Sequence, residues 1–432
     1  MERYIIHSDC NCYYASVEML RNPRLRDVPM AVCGSKKQRH GIVLAANYHA
    51  KRYGIKTAMS SVNALKMCPG LYTVPPHYDD YLQFSGFARS IYSQYSDRIE
   101  AFGLDENWLD LTGCVTSLKQ GAAVIHEIRE RVKRELGITV SIGLSFNKVF
   151  AKLGSDYKKP DACTVISKEN FKEVVWPLPV GELLYVGRAT EEKLRRRNIK
   201  TIGDLANTNP ESLKGTFGKV IEVLHSFANG KDMSMVTPTD FEAPVKSVGN
   251  SFTAPRDLKT DEDVRIMLYS LSESVGARLA ELRKYASTIE FSYVNSDMTS
   301  HASRQKKLEI PTNISGEIAD TAFGLFKRHY SHWPSPLRKV GVTGSGLLSI
   351  KTPRQLTVWE NAEQVNKKED FERTVNALRA RYGNNIVQRA VMLTDRQLSG
   401  MDAKRDNKIH PVGVFYGGMS ESWGVYQAAA TQ

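Results

Sequence analysis

The chain's 432 residues leave room for about three domains, and 41% apolar with 25% charged residues is the balance of an ordinary globular protein. Its 59 Lys and Arg against 47 Asp and Glu give a formal charge of +12, which argues against an enzyme of small metabolites and for a polyanionic partner. No run of about 18 apolar residues and no charged-then-apolar leader occurs, so a cytoplasmic chain without a membrane span is expected, and its six cysteines, lacking a CxxC pair, read as reduced thiols rather than zinc ligands.

In chain order, an apolar strand through Ile5 and Ile6 ends at Asp9, and a helix-compatible segment opens just after it with Tyr13 and Tyr14. Residues 15–77 form an insertion: a helix, a strand over 30–33, a basic loop over 34–41, a strand over 42–46 and a helix over 47–56. Its cationic residues suit phosphate groups. A helical run over 79–95 leads to the stretch 98–112, where Ile99, Phe102 and Leu104 precede the acidic pair Asp105 and Glu106, and Trp108, Leu109 and Leu111 follow. That alternation predicts two strands joined by a tight connection, with both carboxylates at the tip. A helix over 118–136 and a strand over 138–144 complete the order strand, helix, strand, strand, helix, strand, the split βαβ pattern. In it the first strand lies antiparallel beside the third, which brings Asp9 next to Asp105 and Glu106. A lone Asp-Glu pair is usually a solvated turn. Three carboxylates on one sheet edge are instead what two divalent metals about 3.5–4 Å apart require for phosphoryl transfer.

Beyond it, Asn147 starts a helix, and Lys148, Lys152, Lys158 and Lys159 form a basic strip. Residues 171–232 read as a helical lobe, in which 183–194 resemble a helix-hairpin-helix that holds DNA phosphate through main-chain N–H groups, with Arg195, Arg196 and Arg197 supplying charge. An extended linker is expected over 233–245. From Lys246 onward a strand, a helix over 261–283, strands over 288–293 and 305–310, a helix over 315–330 and a strand over 337–344 give a second β-α-β-β-α-β unit. Residues 349–432 read as a tail with a helical run over 370–382 and a poorly ordered, Gly-rich end.

The run 9–18, Asp-Cys-Asn-Cys-Tyr-Tyr-Ala-Ser-Val-Glu, and the run 104–110, Leu-Asp-Glu-Asn-Trp-Leu-Asp, together resemble the Y family of lesion-bypass DNA polymerases, specifically its bacterial polymerase IV-like (ImpB/MucB/SamB) branch. The likeness extends over residues 1–348. It implies an α+β, multidomain right-hand polymerase. The split βαβ (ferredoxin-like) palm is 1–14 and 78–167, the small fingers 15–77, the helical thumb 168–232, the linker 233–245, the β-α-β-β-α-β little finger 246–348 and the tail 349–432. The implied activity is template-directed, translesion DNA synthesis without proofreading, within the SOS response.

The resemblance also assigns residues. Asp9, Asp105 and Glu106 are the catalytic carboxylates and, with the Cys10 carbonyl, hold two Mg2+ ions that Mn2+ can replace. Tyr48, Lys51 or Arg52, and Lys159 meet the triphosphate of the incoming deoxynucleotide. Tyr13 and Tyr14 line the nucleotide pocket; Tyr14 is the steric gate against a 2′-hydroxyl, and Tyr13 is the better core aromatic of the two. Gly187, Lys193, Lys246, Ser247, Arg256, Arg304 and Lys306 contact primer–template DNA. Gln355, Leu356, Val358 and Trp359 resemble the peptide by which bacterial polymerases hold the β sliding clamp, and the protein is expected to be a monomer. The competing readings are a template-independent palm-domain nucleotidyl transferase or cyclase, and a non-catalytic DNA-binding repair accessory protein.

Overall fold

Every residue of the first strand, β1 (Ile5–Cys10), is buried, because it runs through the middle of a sheet covered on both faces. The chain leaves it through Cys12, in the left-handed region at φ 48°, and enters helix α1 (Tyr13–Arg21). A small lobe follows: strands β2 (Met30–Cys33) and β3 (Val43–Ala46), helices α2 (Tyr48–Arg52) and α3 (Ser61–Met67), and strand β4 (Tyr72–Val74), with sheet order β3-β2-β4. Asn47 caps α2 and pins the lobe together. Its side-chain oxygen accepts the N–H groups of Ala50 (2.9 Å) and Met30 (3.1 Å), and its nitrogen donates to the Val28 carbonyl (2.8 Å). The structure, a computed structural model, describes residues 2–34, 41–241, 244–330, 335–353 and 362–400.

Helix α4 (Tyr78–Tyr92) leads to the hairpin β5 (Ile99–Phe102) and β6 (Glu106–Asp110), then to helix α5 (Leu118–Leu136), strand β7 (Val140–Ser145), helix α6 (Lys148–Tyr157) and strand β8 (Cys163–Ile166). The five strands lie in the order β5-β6-β1-β7-β8. Both β6 and β7 run antiparallel to β1, and β8 runs parallel to β7. This is the split βαβ arrangement with one strand, β8, that the sequence pattern did not announce. Ile6, Tyr81, Tyr92, Ile125, Ile128, Ile142 and Leu144 fill the core under α4 and α5.

Helix α6 covers the opposite face, and a glycine lets it come close. A β-carbon on Gly143 would lie 2.0 Å from the Ala151 carbonyl oxygen and 2.5 Å from the Ser155 nitrogen. Only glycine admits the helix backbone at that distance.

The helical lobe contains α7 (Phe171–Val175), α8 (Arg188–Arg195), α9 (Ile202–Asn207), α10 (Lys214–Phe217) and α11 (Val220–Ala228). Val180, Leu194, Ile202, Leu205, Ile221 and Leu224 share one core with Val149, Phe150 and Leu153 of α6. The first half of the segment read as a linker, together with Asp232 just before it, is a strap on the first sheet. Asp232 accepts the Lys148 N–H (3.1 Å), Val236 is buried among Ile5, Trp108 and Ala151, and the Thr237 N–H donates to Glu100 (3.0 Å).

A second compact unit begins at residue 244. It holds β9 (Ser247–Leu258), α12 (Asp261–Glu281), β10 (Lys284–Asn295), β11 (His301–Thr312), α13 (Ser315–His329) and β12 (Leu337–Ser349), with sheet order β11-β10-β12-β9. The Thr260–Asp263 capping box starts α12. The region read as a tail contributes α14 (Ala362–Tyr382) and α15 (Arg396–Ser399) to this unit. Leu398 joins its core, and Glu273 is gripped by Arg379 (2.9 Å) and Arg389 (3.4 Å). No described helix is long and apolar enough to cross a membrane.

Candidate active site

Successive residues of a strand point to opposite faces, so Ile5, His7 and Asp9 share the α6 side of the sheet. The β1–β6 register sets His7 opposite Trp108 and Asp9 opposite Glu106. Asp105 forms the hairpin tip, and its carbonyl accepts the Cys10 N–H at 3.0 Å, which fastens the tip to the end of β1. The three expected carboxylates therefore meet at one edge.

Their electrostatics differ. Burial pushes Asp9 up to about 6; Lys159 pulls it back and Glu106 adds to the push. Burial, then the charges of Asp9 and Glu106, hold Asp105 at about 7. Glu106 is raised by burial, but His7 and Lys152 more than reverse this and leave it at about 2. Lys159 sits 2.6 Å from Asp9 and 2.7 Å from Asp156, while Lys152 pairs with Glu106. With the side chains so arranged, no three His, Cys, Asp or Glu groups among the described residues gather closely enough to enclose an ion. The donor set still fits a hard divalent cation. It is all oxygen and anionic, and a cation beside Asp9 and Asp105 offsets the burial, and the neighbouring carboxylate charge, that push both toward the neutral form.

The nucleotide candidates fall into two groups. Tyr14 is half-buried, stacked on Tyr81 (4.2 Å between centroids, 11° between planes) and edge-on to Tyr78 (6.1 Å, 83°). The Tyr81 hydroxyl donates to Glu18 at 2.5 Å, so the support is itself fixed. Tyr13, expected in the pocket, is only 3% exposed, and its hydroxyl donates to the Tyr81 carbonyl at 2.5 Å. Tyr13 is a core aromatic, the role for which the sequence favours it over Tyr14, and not the pocket-lining residue also expected of it. Tyr48 is half-buried at the start of α2, and burial, then Cys12 and Asp9, raise its phenol. Lys51 is exposed, its ammonium 4.9 Å over the Tyr48 ring, and Arg52 is exposed beside it.

Four residues near the site escaped the sequence reading in these roles: His7, Lys152, Asn11 and Tyr81. Asn11 donates to Ser141 (2.9 Å) and accepts from Thr139 (3.0 Å) and the Asp161 N–H (2.8 Å), which holds the segment carrying Lys159. His7 is fully buried and burial lowers it to about 4. The available signal was periodicity: His7 is two residues from Asp9 on a strand, and Lys152 lies four from Lys148 on a helix.

Residues 8–156 match the impB/mucB/samB family and residues 245–358 match that family's C-terminal domain. The chain is 48% identical over 399 residues to DNA polymerase IV of Acetivibrio thermocellus, spanning 92% of this chain and all of that relative. It belongs to the impB/mucB/samB family of Y-family DNA polymerases. DNA polymerase IV of Moorella thermoacetica is 36% identical over 90% of this chain and 96% of its own length; DNA polymerase IV 1 of Bacillus subtilis is 34% identical over 90% and 93%. Residues 182–232 match the thumb domain of DNA polymerase-iota. A solved Y-family DNA polymerase chimera shares the fold with a TM-score of 0.70 at 24% identity, over 80% of this chain and 99% of that one. The multidomain α+β polymerase fold is thus the fold of this family member.

The DNA-contact candidates are distributed over both units. Gly187 is the N-cap of α8 and exposed, as is Lys193 on that helix. Lys246 and Ser247 are exposed at the start of β9. Arg304 and Lys306 are exposed on the outer strand β11, where they pair with Phe291 and Ile289 and so lie on the helix-covered side of the sheet. Arg256 corrects the expectation. Its guanidinium holds Asp263 through two hydrogen bonds (2.7 and 3.0 Å) and Asp395 through a third (2.7 Å), so its fork is occupied by carboxylates rather than offered to phosphate. Gln355, Leu356, Val358 and Trp359 lie outside the described residues.

Proposed function

We propose that the α6-side edge of the first sheet is where this DNA polymerase adds deoxynucleotides to a primer 3′ end, on damaged as well as intact template. One observation carries the reading: Asp9, Asp105 and Glu106 meet at a single sheet edge through strand register and a fastened hairpin tip. Asp9, Asp105 and Glu106, with the Cys10 carbonyl beside them, would hold two Mg2+ ions, for which Mn2+ substitutes. When bound, the ions supply Lewis acidity at the primer hydroxyl and the triphosphate.

The chain's own residues orient the substrates. Lys159, steadied through Asn11, exchanges its carboxylate partners for phosphate oxygens, and Tyr48 with Lys51 or Arg52 approaches the triphosphate from the small lobe. Tyr14, wedged against Tyr81 and Tyr78, keeps its ring where a 2′-hydroxyl would need to be. Gly187, Lys193, Lys246, Ser247, Arg304 and Lys306 hold primer–template phosphates without reading sequence. The peptide over 355–359 tethers the enzyme to a sliding clamp, a peptide-in-groove contact that raises local concentration at the primer end. The enzyme acts as a cytoplasmic monomer and does not proofread.

Primer extension in Mg2+, with and without template, is the test. Extension that follows template sequence supports the reading. Equal extension without template would instead make this an untemplated nucleotidyl transferase, and DNA binding without extension a repair accessory protein.

A further inference from the structure

We propose that Arg129 and Lys133 of α5 are positioning residues for the incoming deoxynucleotide, because through Asp161 they hold the loop that carries Lys159, an inference that rests on the reading of Lys159 as a triphosphate contact. Neither cation reaches the substrate itself. Both act on a loop whose placement decides where the Lys159 ammonium lies.

Residues 158–162 join α6 to β8, and both ends of this loop are fixed. Helix α6 packs closely on the sheet at Gly143, and the Ala162 carbonyl accepts the Ile142 N–H of β7 at 2.8 Å. Asp161, two residues beyond Lys159, is held on every side. Its N–H donates to Asn11 Oδ1 (2.8 Å), and its carbonyl accepts from Arg129 Nη1 (2.8 Å). Its carboxylate meets Lys133 Nζ at 2.8 Å and Arg129 Nε at 3.6 Å. The backbone there is left-handed, at φ 52°, a conformation that Asp adopts more readily than a β-branched residue.

Arg129 and Lys133 stand four residues apart and so share one face of α5. That helix packs on the side of the sheet away from α6, but β8 is the edge strand, so cations on α5 reach the loop that enters it. Lys133 is half-exposed, and its ion pair adds little by itself. The stronger hold is the charge-assisted bond from Arg129 to the main chain. Asn11 fixes the loop from the site side, and Arg129 fixes it from outside. Between them they set the stem of Lys159, whose ammonium waits 2.6 Å from Asp9 and 2.7 Å from Asp156. A contact made equally to bound substrate and transition state changes KM and spares kcat.

The test is single-nucleotide incorporation on primer–template DNA, with Tm measured on the same samples. Arg129→Met/Lys133→Met keeps both stems and removes both cations. It should raise KM for the deoxynucleotide about 3- to 10-fold, part of the roughly 10-fold or more that losing a hydrogen bond to a charged group costs in Lys159→Ala. Its kcat should stay within about 2-fold. On the Lys159→Ala background the same two substitutions should add nothing, since both act through that lysine. An unchanged KM in the folded double variant overturns the positioning role. So does a rise of the same factor on the Lys159→Ala background, because the effect then runs elsewhere. Should the double variant not fold, Asp161→Val, strained at φ 52°, should raise KM, and Asp161→Gly, which adopts that conformation freely, should recover most of the loss. An unchanged KM in Asp161→Val likewise overturns the role. Lys159→Ala with a wild-type KM overturns the triphosphate reading itself, a distinct failure because it is seen with α5 intact.

Discussion

Gly143→Ala tests how closely helix α6 must approach the sheet. The added methyl would sit 2.0 Å from the Ala151 carbonyl oxygen, 2.5 Å from the Ser155 nitrogen and 2.8 Å from the Gly154 carbonyl carbon, all of them backbone atoms. Ordinary contact needs about 3.4 Å, so the helix must retreat by about 1.4 Å or the strand must bend by as much. Overpacking of this kind costs about 1–3 kcal/mol, and rigid backbone on both sides places this case at the upper end. The retreat also carries off Lys152, which holds Glu106, and Ser155, which holds His7. Misplacement by about 1 Å at a catalytic constellation lowers rates about 100-fold. Single-nucleotide incorporation kinetics, with a thermal melt on the same sample, should show a lower Tm and kcat/KM down by about that factor. Wild-type values for both would refute the packing argument.

Three further outcomes follow from the site. Tyr14→Ala should raise the ratio of ribonucleotide to deoxynucleotide incorporation by about 100-fold, the scale on which pocket shape rejects an added hydroxyl, and Tyr81→Leu should raise it less by removing the stacked support; single-nucleotide kinetics with both sugars report it. Asp105→Asn addresses charge: burial holds the folded carboxyl at about 7, above its unfolded value of 3.8, so its stability contribution is full below pH 3.8 and is lost as pH rises through about 7. In chelator, Asp105→Asn should therefore raise Tm at pH 8 and change it little at pH 4; a fall at pH 8 would contradict the burial argument.

Much of this was legible in the sequence. Helix α5 has the limits its pattern gave, because Ser117 caps its start and Gly137, at φ 68°, ends it. The meeting of Asp9 with Glu106 follows from the order of strands and helices once the split βαβ pattern is recognised. What escaped depends on partners distant in sequence. Arg256 reads as a surface cation because Asp263, which takes two of its hydrogen bonds, lies across the turn from β9 into α12, and Asp395, which takes the third, is 139 residues away. The strap holds Met233, Met235 and Val236, of which only Val236 is buried while both methionines are exposed, so no periodicity marks the residue that packs. His7 looked like any strand residue until the register placed it beside Glu106.

The most direct measurement is single-nucleotide incorporation by Glu106→Ala beside primer–template affinity for the same protein. Incorporation should fall to background while DNA affinity stays near wild type and weakens steeply with salt, since phosphate contacts elsewhere carry it. Wild-type-like incorporation by Glu106→Ala would contradict the assignment of Asp9, Asp105 and Glu106 as the catalytic centre.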